Sequence, residues 1–149
     1  MRRVTEAAEQ QYATATSPSS DAANRLKRAW AACYRQSPNY DEAYRNAVLA
    51  VEAVVLPVTI PNDTSGTLGK AIRNIKDTRA RWKVGGLNGE EPSGADALIT
   101  MLDLLWKNQE RHARSDGTIA DVSGPEAETA VGLAVALVQW FNAGLVHRA

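Results

Sequence analysis

The chain has 149 residues, and its 17 Lys and Arg side chains are balanced by 17 Asp and Glu side chains. A chain of this length is expected to form one domain, and the balanced charge gives no overall field that would attract nucleic acid or a membrane surface. The single cysteine, Cys33, excludes an intramolecular disulfide and a cysteine-based zinc site, which favours a cytoplasmic protein, and no apolar run is long enough to predict a membrane span.

The first 20 residues are predicted to lie outside the main domain. Residues 2–13 are compatible with a polar helix, but residues 14–20, TATSPSS, have the composition of a flexible linker. We therefore interpret residues 1–20 as a tail or as the remnant of an upstream segment, and residues 21–146 as one helical domain.

A first amphipathic helix is predicted over residues 22–36. Apolar side chains recur along it at three- and four-residue spacing, and either Ser20 or Asp21 can cap its start. Cys33 lies on the apolar face, so we expect its thiol to be buried and unreactive.

A second helix is predicted over residues 40–55. Asn39 and Glu42 are spaced as in a capping box, and Pro57 is expected to end the helix. The sequence that starts at Asn39 also resembles the beginning of a tetratricopeptide repeat. No second copy follows at a fixed period, so a repeat protein is the less favoured interpretation.

A third helix, predicted over residues 67–79 with Ser65 as its cap, begins the most basic part of the chain. Trp82 lies near the end of this basic segment, which contains only one acid, Asp77. A solvated helix face explains the pattern without any partner. The alternative is an RNA-binding strip in which cations meet phosphates and Trp82 stacks on a base. The cations of the basic segment are Lys70, Arg73, Lys76, Arg79, Arg81 and Lys83.

Residues 84–94, VGGLNGEEPSG, form a glycine-rich loop. The loop follows a basic segment and has no Gly-Lys-Ser/Thr ending, so it does not match a Walker-type phosphate loop. We interpret it as a connection between helices.

The central helix, predicted over residues 95–113, combines an apolar stripe with a polar end. Leu98, Leu105 and His112 are seven residues apart, which places an imidazole in line with two core leucines. Asn108 lies one turn before His112, and Lys107 and Arg111 form a neighbouring cationic row. Such an end is either a solvated helix terminus, where cations complement the helix dipole, or a functional site.

The last helix is predicted over residues 125–142. Ser123 and Glu126 form a capping-box pattern with a proline in the first turn, and Gly144 is expected to stop the helix. No alternating strand pattern occurs in the chain. The sequence therefore predicts an all-α protein, an antiparallel bundle of four main helices.

The polar end of the central helix resembles the motif of the HEPN superfamily, in particular its abortive-infection and toxin-like branches. That motif is an arginine, a polar residue that is often asparagine, three to five further residues and a histidine. Residues 107–112, KNQERH, agree in spacing, asparagine and histidine, with Lys107 in place of the arginine. The resemblance covers roughly residues 21–146 and includes Glu52, which matches an acidic residue often seen on an early HEPN helix.

The resemblance implies a ribonuclease that uses neither metal nor cofactor and acts as a two-fold dimer, with both motifs in one cleft. It implies attack of a 2′-hydroxyl on the adjacent phosphate of RNA. His112 is expected to move the proton, because imidazole titrates near neutral pH. Lys107 and Arg111 are expected to stabilise charge on the phosphate oxygens. Asn108 would hold the imidazole or the phosphate, and Glu52 would orient a cation.

Three interpretations follow. The first is a HEPN-type endoribonuclease, a toxin or phage-defence effector, whose partners are RNA, a second copy of the chain and an antitoxin or partner defence protein. The second is a non-catalytic HEPN-like module that dimerises or binds RNA or protein. The third is an unrelated helical adaptor or repeat-like protein, which is expected to be a monomer with His112 and Lys107 exposed to solvent and far from any groove.

Overall fold

The computed structural model of the protein describes residues 4–90, 92–113 and 121–149, with the backbone alone described for residues 110–113. Over these ranges the chain forms six α-helices, a short 3-10 helix and one pair of β-strands. The expectation of a mainly helical protein is confirmed. The helices are α1 (Glu6–Thr16), α2 (Asp21–Tyr34), α3 (Tyr40–Thr59), α4 (Leu68–Asp77), α5 (Gly94–Ala113) and α6 (Gly124–Asn142), and the 3-10 helix is Arg79–Arg81.

Two predicted helix starts are formed by the side chains that the sequence singled out. Asn39 begins α3, because its Oδ1 accepts a hydrogen bond of 3.1 Å from the N–H of Glu42. Ser123 and Glu126 form the predicted capping box of α6, in which each side chain accepts the backbone N–H of the other, at 3.2 and 3.4 Å. These bonds satisfy N–H groups that a helix start otherwise leaves unpaired.

The start of α4 differs from the predicted one. Thr67 is the cap, because its hydroxyl accepts the N–H of Lys70 at 3.3 Å. Ser65, the predicted cap, instead donates its N–H and its hydroxyl to the Asp63 carboxylate at 2.9 and 3.1 Å. A side-chain turn of this kind competes with helix capping, and here the cap lies two residues later than predicted and the helix starts one residue later.

α3 continues beyond the predicted stop at Pro57 and ends at Thr59. Proline removes one backbone donor, but here the loss falls in the last turn of the helix. The hydroxyl of Thr59 donates to the carbonyl of Val55, and the N–H of Ile60 donates to the carbonyl of Leu56, both at 2.9 Å. These two bonds hold the final turn in helical form.

α3 lies at the centre of the core and packs against α2, α4, α5 and α6. None of the described helices combines the length with the apolar character that a bilayer crossing requires. The largest side chains that the fold buries almost completely are Leu26, Val48, Val51, Val55, Leu68, Ile75, Leu98, Leu102, Leu105, Val131, Leu137 and Val138.

α1 packs onto α2 and α6. The ring of Tyr12 stacks on Trp30 with ring centroids 4.2 Å apart, and Ala15 and Thr16 are buried. The interpretation of residues 1–20 as a tail or an upstream remnant stays a prediction, while α1 itself extends three residues beyond the predicted polar helix.

A small antiparallel pair, β1 (Trp82–Val84) and β2 (Val146–Arg148), corrects the expectation of a chain without strands. Trp82 lies opposite Arg148, and Val84 lies opposite Val146. Trp82, Val84 and Val146 are buried against the core. Strands of three residues are too short to produce a recognisable alternation in the sequence, so the pairing could not be predicted.

Candidate functional site

α5 carries the predicted catalytic segment, and its apolar stripe fixes how the helix is rotated about its axis. Leu98 and Leu102 are 0% exposed and Leu105 is 2% exposed. Exposing this face would remove three leucine side chains from the core, which would cost several kcal/mol. The face must therefore remain against the core. Lys107 and Asn108 follow in the next turn of the helix.

Lys107 and Asn108 differ in what they contact. The Lys107 side chain is 67% exposed, and its Nζ lies 3.9 Å from Oδ2 of Asp103, one turn earlier on the helix. Asn108 is half-buried, and its Nδ2 donates a hydrogen bond of 2.7 Å to the carbonyl of Leu104. The ammonium of Lys107 therefore faces solvent, while the amide of Asn108 is held against its own helix.

The two remaining members of the motif are Arg111 and His112. The α5 backbone is helical through Ala113, so both lie on the same helix as Asn108. Their side chains fall outside the described part of the structure. Their predicted roles stay predictions.

A cavity of about 270 Å³ lies where α3, α5 and α6 meet, and we call it the α5–α6 groove. Tyr44 closes it toward the core, because its hydroxyl donates a buried hydrogen bond of 2.8 Å to the carbonyl of Leu105. Leu104 is 54% exposed at the rim. The residues that line the groove are Tyr44, Leu104, Leu105, Asn108, Pro125, Glu126, Thr129, Ala130 and Leu133.

Sequence reasoning found Asn108 but missed the groove beside it. One signal was available: Leu104 is apolar yet lies outside the stripe that Leu98, Leu102 and Leu105 define. Single exposed apolar residues are common on protein surfaces, so this signal by itself does not identify a binding surface. The contribution of α6 could not be predicted, because it depends on how the two helices cross.

Glu52 lies away from this groove. Its Oε2 accepts the N–H of Leu68 at 2.9 Å, which makes Glu52 a second cap of α4. It follows Tyr44 by eight residues on α3, or about 12 Å along the helix axis. It lines a different cavity, together with Asp21 and Arg25. The structure thus gives Glu52 a structural contact that the sequence did not predict.

Half of the cations of the basic segment form ion pairs. The pairs of Lys76 and Arg79 connect the end of α4 and the 3-10 helix to α5, which makes them part of the packing between these elements. Arg73 and Arg81 are exposed and Lys83 is half-buried, and no ion pair involves these three within the described ranges. The pairs are Lys70 with Asp63 at 3.7 Å, Lys76 with Asp103 at 2.8 Å, and Arg79 with Asp96 at 3.3 Å.

Trp82, the predicted stacking residue of the basic segment, is only 2% exposed. Its Nε1 donates to the hydroxyl of Thr78 at 3.0 Å, and the Arg148 guanidinium lies 4.9 Å from the centre of its ring. Stacking on an RNA base would require the ring to leave this position. The RNA-binding role of the cations around Trp82 stays a prediction.

The predicted burial of Cys33 is confirmed, since 4% of the residue is exposed. Burial, and after it the negative charge of Glu128, raise the pKa of the thiol to about 11, although a hydrogen bond with Tyr34 acts in the opposite direction. A second cavity, about 890 Å³, lies beside Cys33 and extends to Tyr40. The reactive thiolate is scarce at neutral pH, so this cavity does not hold a cysteine nucleophile.

No protein-family model, curated protein or solved structure shows significant similarity to the chain. In the part of the chain that the structure describes, no three His, Cys, Asp or Glu side chains are grouped as metal ligands. The HEPN resemblance thus depends on the residues of the chain itself, and we carry it forward as a proposal.

Proposed function

We propose that the protein is a metal-independent endoribonuclease of the HEPN type that acts as a two-fold dimer in the cytoplasm, as a toxin or phage-defence effector. The position of Lys107 and Asn108 supports this function most directly. Both lie near the end of α5, with the Lys107 side chain 67% exposed and Asn108 lining the α5–α6 groove. An exposed ammonium beside a groove can meet an RNA phosphate.

The proposed reaction is a transfer within the RNA chain. His112 accepts the proton of the 2′-hydroxyl, whose oxygen attacks the adjacent phosphorus, and the bond from phosphorus to the 5′-oxygen breaks. The products are a 2′,3′-cyclic phosphate and a 5′-hydroxyl, which takes up one proton. Lys107 and Arg111 stabilise the negative charge on the phosphate oxygens during the attack, and Asn108 holds the imidazole or the phosphate.

Lys107 replaces the arginine of the family motif, and its surroundings matter for the proposal. A lysine offers a point charge where arginine offers a planar pair of donors. Asp103, 3.9 Å from the Lys107 Nζ, competes with phosphate for the ammonium. Arg111 lies one turn further on the helix and supplies a second cation in the proposed site.

The test is RNA cleavage in EDTA, with detection of the cyclic phosphate product. We expect His112→Ala to reduce the rate by roughly 100-fold or more, as loss of a general base does. Lys107→Ala should also slow cleavage, while Lys107→Arg should retain or raise the rate. Lys27→Ala, an exposed lysine on α2, is the matched control. Cleavage that survives in His112→Ala, or that disappears in Lys107→Arg, contradicts the proposed motif.

The second candidate is a non-catalytic HEPN-like module that dimerises or binds RNA or protein. The α5–α6 groove favours it, because its lining includes the apolar Leu133 and Leu104, and Leu104 is 54% exposed. This candidate predicts a dimer that cleaves no RNA and keeps its binding in His112→Ala. Analytical ultracentrifugation together with the cleavage assay separates the two.

A further inference from the structure

The strand pair turns one face to the core and the other to solvent. Trp82, Val84 and Val146 are buried, so the alternation of side chains along a strand places Lys83 and His147 on the outer side. These two residues lie directly opposite each other in the pairing. The side chains of such a pair are neighbours, with Cβ atoms roughly 4.5–5.5 Å apart.

The outer side of the pair continues by one residue beyond the strands. The N–H of Gly85 donates to the carbonyl of Leu145 at 2.7 Å, and Leu145, two residues before His147, is 43% exposed. Gly85 has no side chain to cover it. Apart from the chain neighbours of Gly85, the described residues bring only a Leu145 methyl group, at 3.9 Å, near the place that a Cβ would take. The surface is therefore open above this end of the pair.

Two cations at this surface form no ion pair within the described residues. Arg81 is exposed and Lys83 is half-buried. Asp96 and Glu90 line the cavity beside Lys83, but Asp96 is paired with Arg79 at 3.3 Å and neither acid forms an ion pair with the lysine. We define the outer sheet face by the exposed or half-buried side chains on this side of the pair, which are Arg81, Lys83, Leu145 and His147.

An exposed aromatic ring beside cations is the combination that binds single-stranded nucleic acid. The imidazole of His147 can stack on an unpaired base, and Leu145 offers apolar contact beside it. Lys83, across from His147, can bind the phosphate next to that base. A base inside a duplex has no free face for the imidazole. An acidic protein segment would meet the cations but would leave the imidazole and Leu145 without a matching group.

His147 takes the role that the sequence assigned to Trp82. The indole points to the core and is 2% exposed, whereas the imidazole lies on the outer side and is exposed. Sequence reasoning could not find His147, because it meets Lys83 only through the strand pair.

The outer sheet face lies at the opposite end of α5 from the predicted catalytic motif. Gly94, the first residue of α5, lies against Val84, since a Cβ on Gly94 would come within 2.9 Å of the Val84 Cβ. Lys107 lies about 20 Å further along the helix axis. A stacked strand advances about 3.4 Å per nucleotide, so RNA that contacts both places must extend over about six nucleotides.

We propose that the outer sheet face binds single-stranded RNA, with the imidazole of His147 stacked on one base and Lys83 and Arg81 on the adjoining phosphates. The inference rests on the proposed function in one respect, that the nucleic acid is RNA. It gives the substrate a binding surface that is separate from the cleaved bond.

The test is fluorescence anisotropy of the full chain with a labelled single-stranded RNA of about ten nucleotides, within the usual range of site sizes. The RNA carries 2′-O-methyl groups, which block attack by the 2′-oxygen, so binding is measured without cleavage. We expect His147→Ala to weaken binding about fivefold or more, and His147→Phe to retain it, because a phenyl ring also stacks. Affinity that is unchanged in His147→Ala, or equally weak in His147→Phe, overturns the inference.

Lys83→Gln tests the phosphate contact separately. Loss of one contact to a single strand should lower the slope of log affinity against log salt concentration by about 0.7. Lys27→Gln, which changes an exposed lysine on α2, is the matched control and should keep both the affinity and the slope. A slope that is the same in Lys83→Gln and in the wild type overturns the phosphate contact.

Two further ligands separate the proposed occupant from other polyanions. A duplex RNA of the same length should bind at least about fivefold more weakly than the single strand, because its bases cannot stack on His147. Poly-glutamate should compete poorly. Equal binding of the duplex overturns the inference in favour of contacts to the phosphate backbone alone, and stronger binding of poly-glutamate overturns it in favour of an acidic protein partner.

Failure of the inference and failure of the ribonuclease can be distinguished by cleavage of unmodified RNA. A long RNA should show a raised KM and an unchanged kcat in His147→Ala, while a dinucleotide is too short to reach the outer sheet face and should be cleaved as by the wild type. Cleavage that depends on His112 and is indifferent to His147 at both lengths overturns the inference and leaves the ribonuclease standing. Binding that depends on His147 without any cleavage supports the inference and contradicts the ribonuclease.

Discussion

Cys33 shows at the scale of one residue how burial decides chemistry. The thiol lies on the apolar face of α2 beside a cavity large enough for a reagent, yet burial and Glu128 raise its pKa to about 11. The folded pKa lies above the ordinary value of 9.0, so protonation favours the folded state. This contribution to stability is complete below pH 9 and is lost as the pH rises through about 11.

We expect native Cys33 to react slowly with iodoacetamide at pH 8. Only on the order of one thousandth of a thiol with this pKa is thiolate at that pH, and the thiolate is the nucleophile. The rate should rise steadily toward pH 10.5. Mass spectrometry of the alkylated protein measures it, with the chain in 8 M urea as the control. Equal rates in the folded and unfolded chain at pH 8 would contradict the assignment.

Some residues of the candidate site could be predicted individually and others could not. The buried face of Leu98, Leu102 and Leu105 follows from helical periodicity, which is a local property. Trp82 was expected to face RNA because cations flank it in sequence. In the fold its ring is part of the core and lies under the guanidinium of Arg148, which comes from a distant part of the chain. Contacts of this range leave no local pattern.

At the scale of one element, α4 illustrates how a helix start is stabilised from outside. The hydroxyl of Thr67 and the carboxylate of Glu52 each accept one N–H of its first turn. The negative charge of Glu52 also complements the positive end of the helix dipole. Two N–H groups at the N-terminus of α4 are thereby bonded to protein side chains.

Glu52→Ala should lower the free energy of unfolding by about 1 kcal/mol, the usual effect of losing a cap. Glu52→Gln should lower it less, because the amide oxygen still accepts the N–H of Leu68. Urea unfolding followed by circular dichroism measures both, with the exposed Glu9→Ala on α1 as control. RNA cleavage should be unchanged in both variants, and a loss of cleavage in the folded Glu52→Gln would return Glu52 to the catalytic site.

Of the two α4 lysines that form ion pairs, the one that pairs with α5 should stabilise the fold more. Lys76 lies 2.8 Å from Asp103, whose side chain is 20% exposed, whereas Lys70 lies 3.7 Å from the more exposed Asp63. We expect Lys76→Met to cost about 1 kcal/mol of unfolding free energy, and Lys70→Met less than about half of that. The difference should shrink in 1 M NaCl. Equal effects of Lys76→Met and Lys70→Met on the free energy of unfolding in urea would contradict this prediction.

At the scale of the whole molecule, the strand pair joins segments that are far apart in sequence. β1 follows α4 and the 3-10 helix, and β2 follows α6. The pairing of Val84 with Val146 therefore joins two segments between which the sequence contains both α5 and α6. The helices could be predicted from the sequence because their periodicity and caps are local. The crossing of α5 and α6, which makes the groove, could not, because it depends on packing between side chains from separate helices.

Arg148→Ala tests this closure. The guanidinium donates to the carbonyl of Thr59 at 3.2 Å and to Oδ1 of Asn74 at 3.1 Å, and it lies over the ring of Trp82. We expect its loss to lower the free energy of unfolding by about 1–2 kcal/mol. His147→Ala, an exposed neighbour in the same strand, should have little effect. If both variants have the same unfolding midpoint in urea, Arg148 does not hold the strand pair.

The strand pair also has a consequence for synthesis on the ribosome. β1 leaves the exit tunnel well before residues 146–148 are made, so the indole of Trp82 stays without its cover until translation has passed both α5 and α6. Non-local pairings of this kind form late, because a long loop must close first. A nascent chain that carries the complete α5 therefore still lacks its final fold. Any nuclease activity would arise only after β2 has left the exit tunnel and paired with β1.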